Sequence, residues 1–480
     1  MKVLFIINEV DYMEPLGLML LSAVAKKAGH ETALAILSSD DPLKRIREEK
    51  PGVIAYSATT GFHNIYMRLN DVIKAKYPGV FTMMGGPHPT FYPECIRTGS
   101  LDAICVGEGE TAFPELLSRL EKGDSPDGIP NILTREGHPD KLELAPLVQD
   151  LDSLPLPDRD IVYSRSGTAN FPLKSFMASR GCPFNCSYCF NHAFGRLYAG
   201  KGRIMRRRSV ENVLEEIQQV KSAYPLQCVK FYDDNLVLKA DEWLEEFARE
   251  YPRRIGLPFH CLLRPDVADE NIIKLLKSAG CFSVSMSIES GSERIRRELL
   301  NRPVGDEEIR RAFRLCSEYG ISTFSNSILA LPGTSWPDDE ATLDMNIECG
   351  VSFAEFPIYY PYPGTDLGER CRAQGLWNGG YDDLSISYMG RSPLNCFSEE
   401  EKNRQKNLSE LGTLAVAMPF LRSFLVNRLT RLRPNPIFFL AYYLAKAYLV
   451  TRRVYPIRMG PSFFLRTIRK SLRIEAAKRS

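Results

Sequence analysis

Short apolar segments of strand length alternate with helix-forming segments along most of the chain, from residue 2 to about residue 359. A repeated order of strand, helix and strand needs crossover connections, and these join parallel strands. The alternation therefore predicts an α/β fold built on parallel sheets. Residues 401–480 lack this alternation and predict a helical C-terminal region instead.

The N-terminal part of the chain carries five of the apolar segments. They predict strands at 2–8, 31–37, 53–57, 81–85 and 103–106, with helices at 15–28, 42–49, 62–77 and 111–120. Strands and helices of these lengths in this order predict a doubly wound, Rossmann-like parallel sheet.

Small and polar residues collect where three of these strands end. They are Ser57, Thr59, Gly85, Gly86, His88, Gly107 and Gly109. Ligands of open parallel sheets bind outside the carboxyl ends of the strands, and glycine lets a bulky ligand approach the backbone. The residues predict a ligand site at this edge, although ordinary turns between strand and helix would use the same residue types.

A C-x3-C-x2-C run, formed by Cys182, Cys186 and Cys189, follows a further predicted strand at 175–179. Three thiolates on one loop can hold three irons of a [4Fe–4S] cube and leave the fourth iron open to another ligand. A structural zinc site is an alternative, with His192 as a nearby fourth ligand. A third interpretation is three isolated buried cysteines.

After the cysteine run, strand and helix segments continue to alternate. Strands are predicted at 228–232, 259–263, 283–288, 322–329 and 353–359, with helices at 210–223, 240–251, 269–279, 306–319 and 337–349. Polar residues again follow the strands, namely Asp233, Asp234, Arg264, Glu289 and Ser290.

The chain resembles radical S-adenosylmethionine (SAM) proteins that carry a cobalamin (B12)-binding domain. In the first 125 residues the resemblance rests on 14–17 at the start of the first helix, on 85–88 and on 106–110. In the second half it rests on 181–190, where Tyr188 directly precedes the third cysteine. The resemblance implies a partial (β/α)6 TIM-type barrel after the first domain, and three cofactors: a [4Fe–4S] cluster, SAM and cobalamin.

One part of the cobalamin pattern is missing. Many cobalamin proteins have Asp-x-His-x-x-Gly after the first strand, whose His is the lower cobalt ligand, but residues 8–17 contain no His. Since radical SAM relatives commonly lack this His, we expect cobalamin to bind without a protein histidine. A domain that has lost the cofactor is the alternative.

The resemblance also implies roles for individual residues. Cys182, Cys186 and Cys189 would be the catalytic cluster ligands. Asp233, Asp234, Arg264, Glu289 and Ser290 would contact SAM, whose ammonium, carboxylate and ribose hydroxyls call for acids, a base and hydroxyl partners. The alternative for Asp234 and Ser290 is a helix cap. The residues at the strand ends of the first domain, from Ser57 to Gly109, would contact cobalamin.

The activity implied by the resemblance is radical chemistry at an unactivated carbon. The cluster would cleave SAM to a 5′-deoxyadenosyl radical, and the substrate radical would take a methyl group from methylcobalamin. An oxidative cyclase or rearrangement enzyme, similar to anaerobic magnesium-protoporphyrin monomethyl ester cyclase, is the second interpretation.

A tRNA methylthiotransferase would need a further cysteine trio, but the first 125 residues contain only Cys95 and Cys105. A non-catalytic cobalamin or iron–sulfur sensor would not need the polar residues at successive strand ends.

Composition limits the setting in which the chain works. It has 480 residues and twelve cysteines, too few for a disulfide scaffold, and it begins with no signal peptide pattern. We therefore expect a reducing, cytoplasmic compartment. Four segments are expected: a cobalamin-binding domain at 1–125, a Pro- and Gly-rich linker at 126–170, a radical SAM core at 171–365 and a basic helical region at 366–480.

The charge is unevenly distributed along the chain. Residues 401–480 carry 17 Lys and Arg against three acids, a balance of +14, although the whole chain is only +2. Within them, 435–450 is apolar and aromatic but short for a membrane span. An interfacial helix on anionic lipid, a helical lid on the barrel and an RNA-binding surface are the three interpretations. We expect a small-molecule substrate, lipid-like or tetrapyrrole-like, an external electron donor and no nucleic-acid partner.

Overall fold

The computed structural model describes residues 1–10, 14–137 and 142–460, together with 464, 467–469 and 472. The chain divides into two compact units. The first comprises 1–171, 193–206 and 380–384, and the second comprises 172–192, 207–379 and 385–480. The four segments expected from the sequence stay a prediction.

The first unit is a six-stranded sheet with helices in the crossovers. Its elements are β1 (Lys2–Ile7), α1 (Leu16–Lys27), β2 (Glu31–Ile36), α2 (Pro42–Glu49), β3 (Val53–Ser57), α3 (His63–Lys76), β4 (Phe81–Gly85), α4 (Pro87–Phe91), β5 (Ala103–Cys105), α5 (Ala112–Lys122), β6 (Ile132–Thr134) and α6 (Asp160–Tyr163). The strand order is β2-β1-β3-β4-β5-β6. From β1 the chain first moves to one side of the sheet, to β2, and then to the other side, to β3 and β4. The doubly wound parallel sheet is therefore present as predicted.

Strand β6 was not predicted, and it is the only antiparallel strand of this sheet in the described residues. It lies in 126–170, the segment predicted as a linker. In the structure this segment belongs to the first unit, and Leu144, Leu147 and Leu151 in it are buried. Leu144 and Leu147 pack in the hydrophobic cluster that contains residues of the sheet.

The second unit is built on a six-stranded parallel sheet in the order β14-β13-β12-β11-β10-β7. Its elements are β7 (Leu173–Phe176), β8 (Ser179–Arg180), α8 (Val210–Ala223), β10 (Cys228–Phe231), α9 (Glu242–Arg254), β11 (Phe259–Leu262), α10 (Glu270–Ala279), β12 (Cys281–Ser285), α11 (Asp306–Glu318), β13 (Ser322–Asn326), α12 (Trp336–Glu348) and β14 (Phe353–Glu355). Two further elements, α7 (Phe190–Leu197) and β9 (Arg206–Arg207), each have residues in both units. Six parallel strands in chain order, joined by five crossovers, give the expected partial (β/α)6 arrangement.

Local sequence signals explain where the helices of this unit begin. Ser209, Asp241 and Asp269 each accept a backbone hydrogen bond from the first turn of α8, α9 and α10, respectively. Such caps satisfy N–H groups that have no partner within the helix. The start of each helix fixes the length of the loop before it, and these loops carry the polar residues at the strand ends.

The remaining helices of the second unit lie in its C-terminal part, where helices were predicted. It contains α13 (Asp366–Ala373), α14 (Glu399–Ala417), α15 (Arg422–Asn427) and α16 (Pro436–Leu449). No helix among the described residues is both long enough and apolar enough to cross a bilayer. Of the predicted tail, 461–463, 465, 466, 470, 471 and 473–480 lie outside the described residues.

The aromatic side chains of α16 differ from the expectation for an interfacial helix. Phe438, Tyr442 and Tyr443 are buried in the protein, and the Tyr442 hydroxyl donates to Glu355 at the end of β14. Lys446 pairs with the same carboxylate at 2.6 Å. These residues therefore form the face with which α16 packs on the protein, as a helical lid would.

Candidate active site

The three cysteines lie on the loop between β8 and α7. The loop is held by Ser187, whose backbone N–H donates to Leu300 O at 3.0 Å and whose hydroxyl donates to Leu299 O at 2.6 Å. Cys186 is buried, whereas Cys182 and Cys189 are partly exposed. The loop thus places three thiols near the carboxyl end of the sheet's first strand, where parallel α/β proteins carry their sites.

Two of the sulfurs have a hydrogen-bond donor beside them. Asn235 Nδ2 lies 3.5 Å from Cys182 Sγ, and Arg264 Nη1 lies 3.5 Å from Cys186 Sγ. The Arg264 guanidinium is held in place by Asp266, at 2.8 Å, and stacks 3.5 Å above the ring centre of Phe184. Donors directed at sulfur stabilise negative charge there, as cluster ligands require.

Burial disfavours ionisation of the thiols in the protein alone. It raises the pKa of Cys189 to about 12, and it also raises the pKa of Cys182. A thiolate at these positions therefore depends on a cation that takes up its charge, such as iron.

The predicted zinc alternative finds no support in the position of His192. Its Nδ1 lies 3.0 Å from Asn185 Oδ1, and its Nε2 lies 3.0 Å from Asp366 Oδ2. In the described part of the chain, no three His, Cys, Asp or Glu side chains are arranged to hold a single metal ion. A cubane places different demands on the loop, because each thiolate holds its own iron. The donors beside the sulfurs fit that group.

Asp233 is completely buried and faces the chain that leads into the cysteine loop. Its carboxylate accepts hydrogen bonds from the backbone N–H groups of Ala178 and Ser179, and from the Ser179 hydroxyl at 2.6 Å. Burial raises the pKa of this carboxyl to about 6. Asp233 therefore ties the end of β10 to the start of β8. Asp234, beside it, accepts from Asn191 Nδ2 at 2.7 Å, and burial raises its pKa.

Glu289 lies at the end of the fourth strand in a conformation that non-glycine residues rarely adopt. Its φ is +65°, its carboxyl is buried, and Oε1 accepts a hydrogen bond of 2.7 Å from the Tyr188 hydroxyl. Burial raises the pKa of the Glu289 carboxyl, and the nearby Arg302 guanidinium offsets only part of that increase. Backbone strain of this kind persists only where the surrounding structure enforces it, and functional sites are common places for it.

Arg302 was not expected from the sequence. It is buried, Nη2 donates to Ser287 O at 3.0 Å, and Nε has no hydrogen-bond partner. Nothing in its sequence context distinguishes it from the many surface arginines. Asn235 was also missed, although it directly follows the predicted acids at a strand end.

Ser290 has a local partner of its own. Its hydroxyl accepts from the Ser292 N–H at 3.3 Å, while its carbonyl accepts from Arg296 Nη1 at 2.7 Å. The next residue, Gly291, lies so close to α12 that a Cβ would come within 2.2 Å of Ala341 O. This contact fixes the turn that carries Glu289 and Ser290.

In the first unit, the loops after β3 and β4 lock together. Gly86 has φ +96°, and a Cβ there would lie 2.8 Å from Ala58 O. Gly85 pairs with Ser57 in the sheet, and the His88 N–H donates to Ala58 O at 3.0 Å. The Thr59 carbonyl accepts from the N–H of His63 at 3.2 Å. Five of the predicted cobalamin residues therefore belong to one compact edge.

His88 occupies a closely packed position at this edge. Its ring stacks on His63 at a centroid distance of 3.6 Å, and Nδ1 lies 3.1 Å from Thr60 Oγ1. Nε2 is buried without a hydrogen-bond partner. Burial lowers the pKa of His88 to about 3, so the ring is neutral at physiological pH. On the other side of the pair, His63 Nε2 lies 2.6 Å from Asp382.

The glycines after β5 make room for protein side chains. A Cβ at Gly107, whose φ is +81°, would lie 2.0 Å from the Tyr198 hydroxyl. That hydroxyl accepts from the Glu108 N–H at 3.0 Å and from Asn131 Nδ2 at 2.7 Å. At Gly109 the neighbours are Leu21 and Cys105. Tyr198 thus occupies the space that the sequence suggested for a ligand at Gly107.

Two family models match the chain. The model of the radical SAM superfamily matches residues 177–345, which include the three cysteines and every predicted SAM contact. The model of the B12 binding domain matches residues 4–117. The chain is a radical SAM enzyme with a B12-binding domain.

Curated relatives of this radical SAM enzyme include methyltransferases and a cyclase. An uncharacterised methyltransferase of Pyrococcus horikoshii is 29% identical, over 75% of this chain and 79% of its own. The cytidylyl-2-hydroxyethylphosphonate methyltransferase of Streptomyces wedmorensis is 25% identical, over 75% and 78%. The anaerobic magnesium-protoporphyrin IX monomethyl ester cyclase of Rubrivivax gelatinosus is 26% identical, over 69% and 60%.

Solved structures share the fold of the radical SAM enzyme at low sequence identity. The radical SAM methyltransferase TsrM of Kitasatospora setae, with cobalamin and a [4Fe–4S] cluster bound, is 19% identical, with a TM-score of 0.67. The match covers 98% of this chain and 99% of that one. The cobalamin-dependent radical SAM enzyme OxsB, with aqua-cobalamin bound, is 16% identical with a TM-score of 0.68, over 99% and 76%.

Proposed function

We propose that the enzyme is a cobalamin-dependent radical SAM methyltransferase that methylates an unactivated carbon of a small molecule. The observation that carries the proposal is the match of one chain to both family models, with the three-cysteine loop inside the radical SAM part. Methyltransferases among the curated relatives support methyl transfer over other outcomes of the same radical chemistry.

The cofactors supply the reactive groups, and the chain positions them. When bound, the cluster and SAM supply a 5′-deoxyadenosyl radical, and cobalamin supplies the methyl group. Cys182, Cys186 and Cys189 would hold three irons of the cluster. Asn235 and Arg264 would donate hydrogen bonds to sulfur. Asp233 would act as a positioning residue, since its oxygens are engaged by the backbone before the cysteine loop.

We assign SAM binding to residues around the end of the fourth strand. Glu289 and Ser290 keep their predicted contacts with SAM, and Asp234 is assigned to its amino group. Arg302 joins them, because its unpartnered Nε is a buried donor that needs an acceptor. A SAM carboxylate would satisfy it. Arg264, which binds Asp266 and Cys186, would act on the cluster side.

We assign the cobalamin contacts to the edge formed by Ser57, Thr59, Gly85, Gly86 and His88. Gly86 lets the loops after β3 and β4 approach each other closely, because a Cβ there would lie 2.8 Å from Ala58 O. The predicted roles of Gly107 and Gly109 are proposed as indirect, since both glycines accommodate side chains of the protein.

The substrate is proposed to be lipid-like or tetrapyrrole-like. A hopanoid C-3 methylase and the cyclase named above are among the relatives, which supports this class. SAM cleavage also needs an external electron donor. We propose a cytoplasmic location with peripheral association at the inner face of the membrane, supported by the charge balance of residues 401–480.

Ring closure is the second candidate. It would use the same cluster, SAM and fold, and the cyclase relative at 26% identity supports it. In that reaction no methyl group enters the product.

The experiment uses anaerobically prepared enzyme loaded with cluster and cobalamin. It is incubated with SAM deuterated in its methyl group, a low-potential reductant and a small-molecule extract of the source cells. Methyl transfer places the deuterated methyl group in a product and releases 5′-deoxyadenosine and S-adenosylhomocysteine. Ring closure gives an unlabelled product, and this result would overturn the assignment in favour of the second candidate. The Cys182→Ala variant provides the background without radical formation.

A further inference from the structure

Helix α16 has two apolar faces, of which the protein covers one. On the covered face lie Phe438, Tyr442 and Leu449, all buried, and Lys446, which pairs with the buried Glu355 at 2.6 Å. These contacts anchor the helix to β14 and its neighbours. The helix therefore has a fixed orientation, and its other face is presented to the surroundings.

The second face is an apolar stripe in contact with solvent. Ile437, Leu440, Leu444 and Tyr448 are exposed to 71%, 47%, 52% and 62%. At about 100° per residue they fall within an arc of about 80°, on the side away from Tyr442 and Lys446. Seven of the ten large apolar side chains that are exposed among the described residues lie between Phe420 and Tyr448. Such a concentration is typical of an interaction surface.

The exposed charges of the chain segment that contains the stripe are of one sign. Exposed arginines stand on both sides of the helix: Arg428, Arg431 and Arg433 before it, and Arg452 and Arg453 after it. No Asp or Glu occurs anywhere from residue 411 to residue 474. Among the described residues, none of these five arginines forms a salt bridge, in contrast to Arg422, which pairs with Asp344.

We infer that the stripe of α16 and its flanking arginines dock on a membrane surface that contains anionic lipids, with the helix axis in the plane of the surface. The helix is about 21 Å long at about 1.5 Å per residue, too short to cross the hydrocarbon but suited to the interface. The apolar side chains enter the boundary between headgroups and acyl chains. The arginines at the two ends bind phosphate groups.

Charge favours this occupant over a second copy of the chain. Two copies joined through the stripe would bring ten arginines together with no acid from the same segment to balance them. A lipid surface supplies phosphates at any position along the helix, so both arginine groups are neutralised at once. The inference specifies the membrane association proposed above, and it does not depend on the reaction that the enzyme performs.

The test is co-sedimentation of the loaded holoenzyme with vesicles. One set contains phosphatidylcholine and phosphatidylglycerol, and the other contains phosphatidylcholine alone. The variant Ile437→Ser/Leu440→Ser/Leu444→Ser should lose about tenfold or more of its partition into anionic vesicles, because apolar insertion drives interfacial binding. The variant Arg452→Gln/Arg453→Gln should bind less tightly and lose most of its salt dependence.

Matched variants control for general effects. Arg249→Gln/Arg253→Gln removes two exposed arginines from α9, and Val72→Ser removes an exposed apolar side chain from the first unit; both should bind vesicles as the natural sequence does. Unchanged circular dichroism and melting temperature show that the variants fold. Equal binding by the stripe variant, or equal binding to neutral and anionic vesicles, would overturn the inference.

Sedimentation velocity without vesicles addresses the other occupant. If the natural chain dimerises and the stripe variant does not, the face is a contact between copies, and the membrane inference is wrong. If the holoenzyme transfers the labelled methyl group but does not bind vesicles, the membrane inference is wrong and the proposed reaction stands. If the holoenzyme binds vesicles but transfers no methyl group, the membrane inference stands and the proposed reaction is wrong.

Discussion

The hydroxyl of Tyr188, in the cysteine loop, donates a 2.7 Å hydrogen bond to Oε1 of Glu289, at the end of the fourth strand. The bond joins the segment that carries the cluster ligands to the segment assigned to SAM. Glu289 is buried and held at a positive φ, and Tyr188 is partly buried. The contact would link the proposed cluster and SAM positions through one pair of side chains.

Replacing Tyr188 by Phe tests this link. The Glu289 carboxylate would lose a donor while remaining buried, at a cost of about 1–3 kcal/mol. We expect SAM affinity, measured by equilibrium binding to the cluster-loaded enzyme, to fall roughly tenfold, with iron content unchanged. Tyr319→Phe is the matched control, because it removes a Tyr–Glu hydrogen bond of 2.8 Å on the surface. Equal losses in both variants would refute the proposed role.

The cysteine loop should tolerate no loss of a thiol. Cys182→Ala, Cys186→Ala and Cys189→Ala should each prevent stable [4Fe–4S] assembly and 5′-deoxyadenosine formation, because His192 is engaged by Asn185 and Asp366 and cannot replace a ligand. Iron and sulfide analysis with product chromatography checks this. Cys396→Ala, at an exposed position, should behave as the natural sequence. Full cluster assembly in a variant lacking all three thiols would disprove the assignment.

Cobalamin should bind without a histidine below the cobalt. We expect about one cobalamin per chain, and no nitrogen superhyperfine splitting from a histidine in the electron paramagnetic resonance spectrum of its cob(II)alamin form. His88 is the residue to replace, since its Nε2 is unpartnered, yet its ring is fixed against His63. Splitting that disappears in His88→Phe would show a histidine ligand and contradict the expectation.

Asp339 should make stability depend on pH. It is buried, accepts from the Ala330 N–H and from Gln405 Nε2, and burial raises its pKa to about 7. Because the folded-state pKa lies above the unfolded value, the protonated form favours folding. Its contribution is complete below about pH 4 and declines as pH rises to about 7, by up to about 4 kcal/mol.

The Asp339→Asn variant should remove that dependence. An amide needs no proton to remain neutral, and it can donate to Gln405 Oε1, which has no partner. Urea unfolding at acidic and alkaline pH should show the variant to be the more stable protein above pH 7, with a flatter profile. Glu246→Gln, at an exposed site on α9, is the control. Parallel profiles for natural and variant proteins would show that Asp339 does not titrate as described.

Gly107 and Gly109 should differ in their tolerance of alanine. At Gly107 the new Cβ would meet the Tyr198 hydroxyl at a positive φ, and we expect a loss of about 2–4 kcal/mol of stability. At Gly109 the nearest atom, at 3.3 Å, belongs to the flexible end of Leu21, and the cost should stay below about 1 kcal/mol. Thermal unfolding measures the stability of the two variants, and similar melting temperatures would contradict the described packing.

The sequence predicted those parts of the fold that depend on local patterns. Strand β3 at Val53–Ser57 and helix α8 at Val210–Ala223 lie where they were expected, because apolar period and caps are local signals. Strand β6 was missed, since three residues at an antiparallel edge give no period. The fifth barrel strand was predicted to reach residue 329 but ends at Asn326, after which only isolated bridges remain.

The sequence predicted those parts of the site that depend on the spacing of residues within one loop. The three cysteines follow from one loop, whereas Arg302 is defined by a buried environment assembled from distant segments. Tyr198 fills the space at Gly107 from far along the chain, which no local pattern indicates. The sequence could not show which face of α16 is buried, because both faces are apolar. Only the packing of the folded protein makes Tyr442 buried and Leu444 exposed.

The first unit contains segments from three places in the chain, the last of which ends at Leu384. A ribosome releases the N-terminal sheet long before it releases Asp382, the partner of His63, or Tyr198, which packs over Gly107. The first unit therefore lacks these contacts until the intervening radical SAM segment has been synthesised. A fragment that stops at the end of the sheet lacks Tyr198 and Asp382, and it leaves Gly107 and His63 without these contacts.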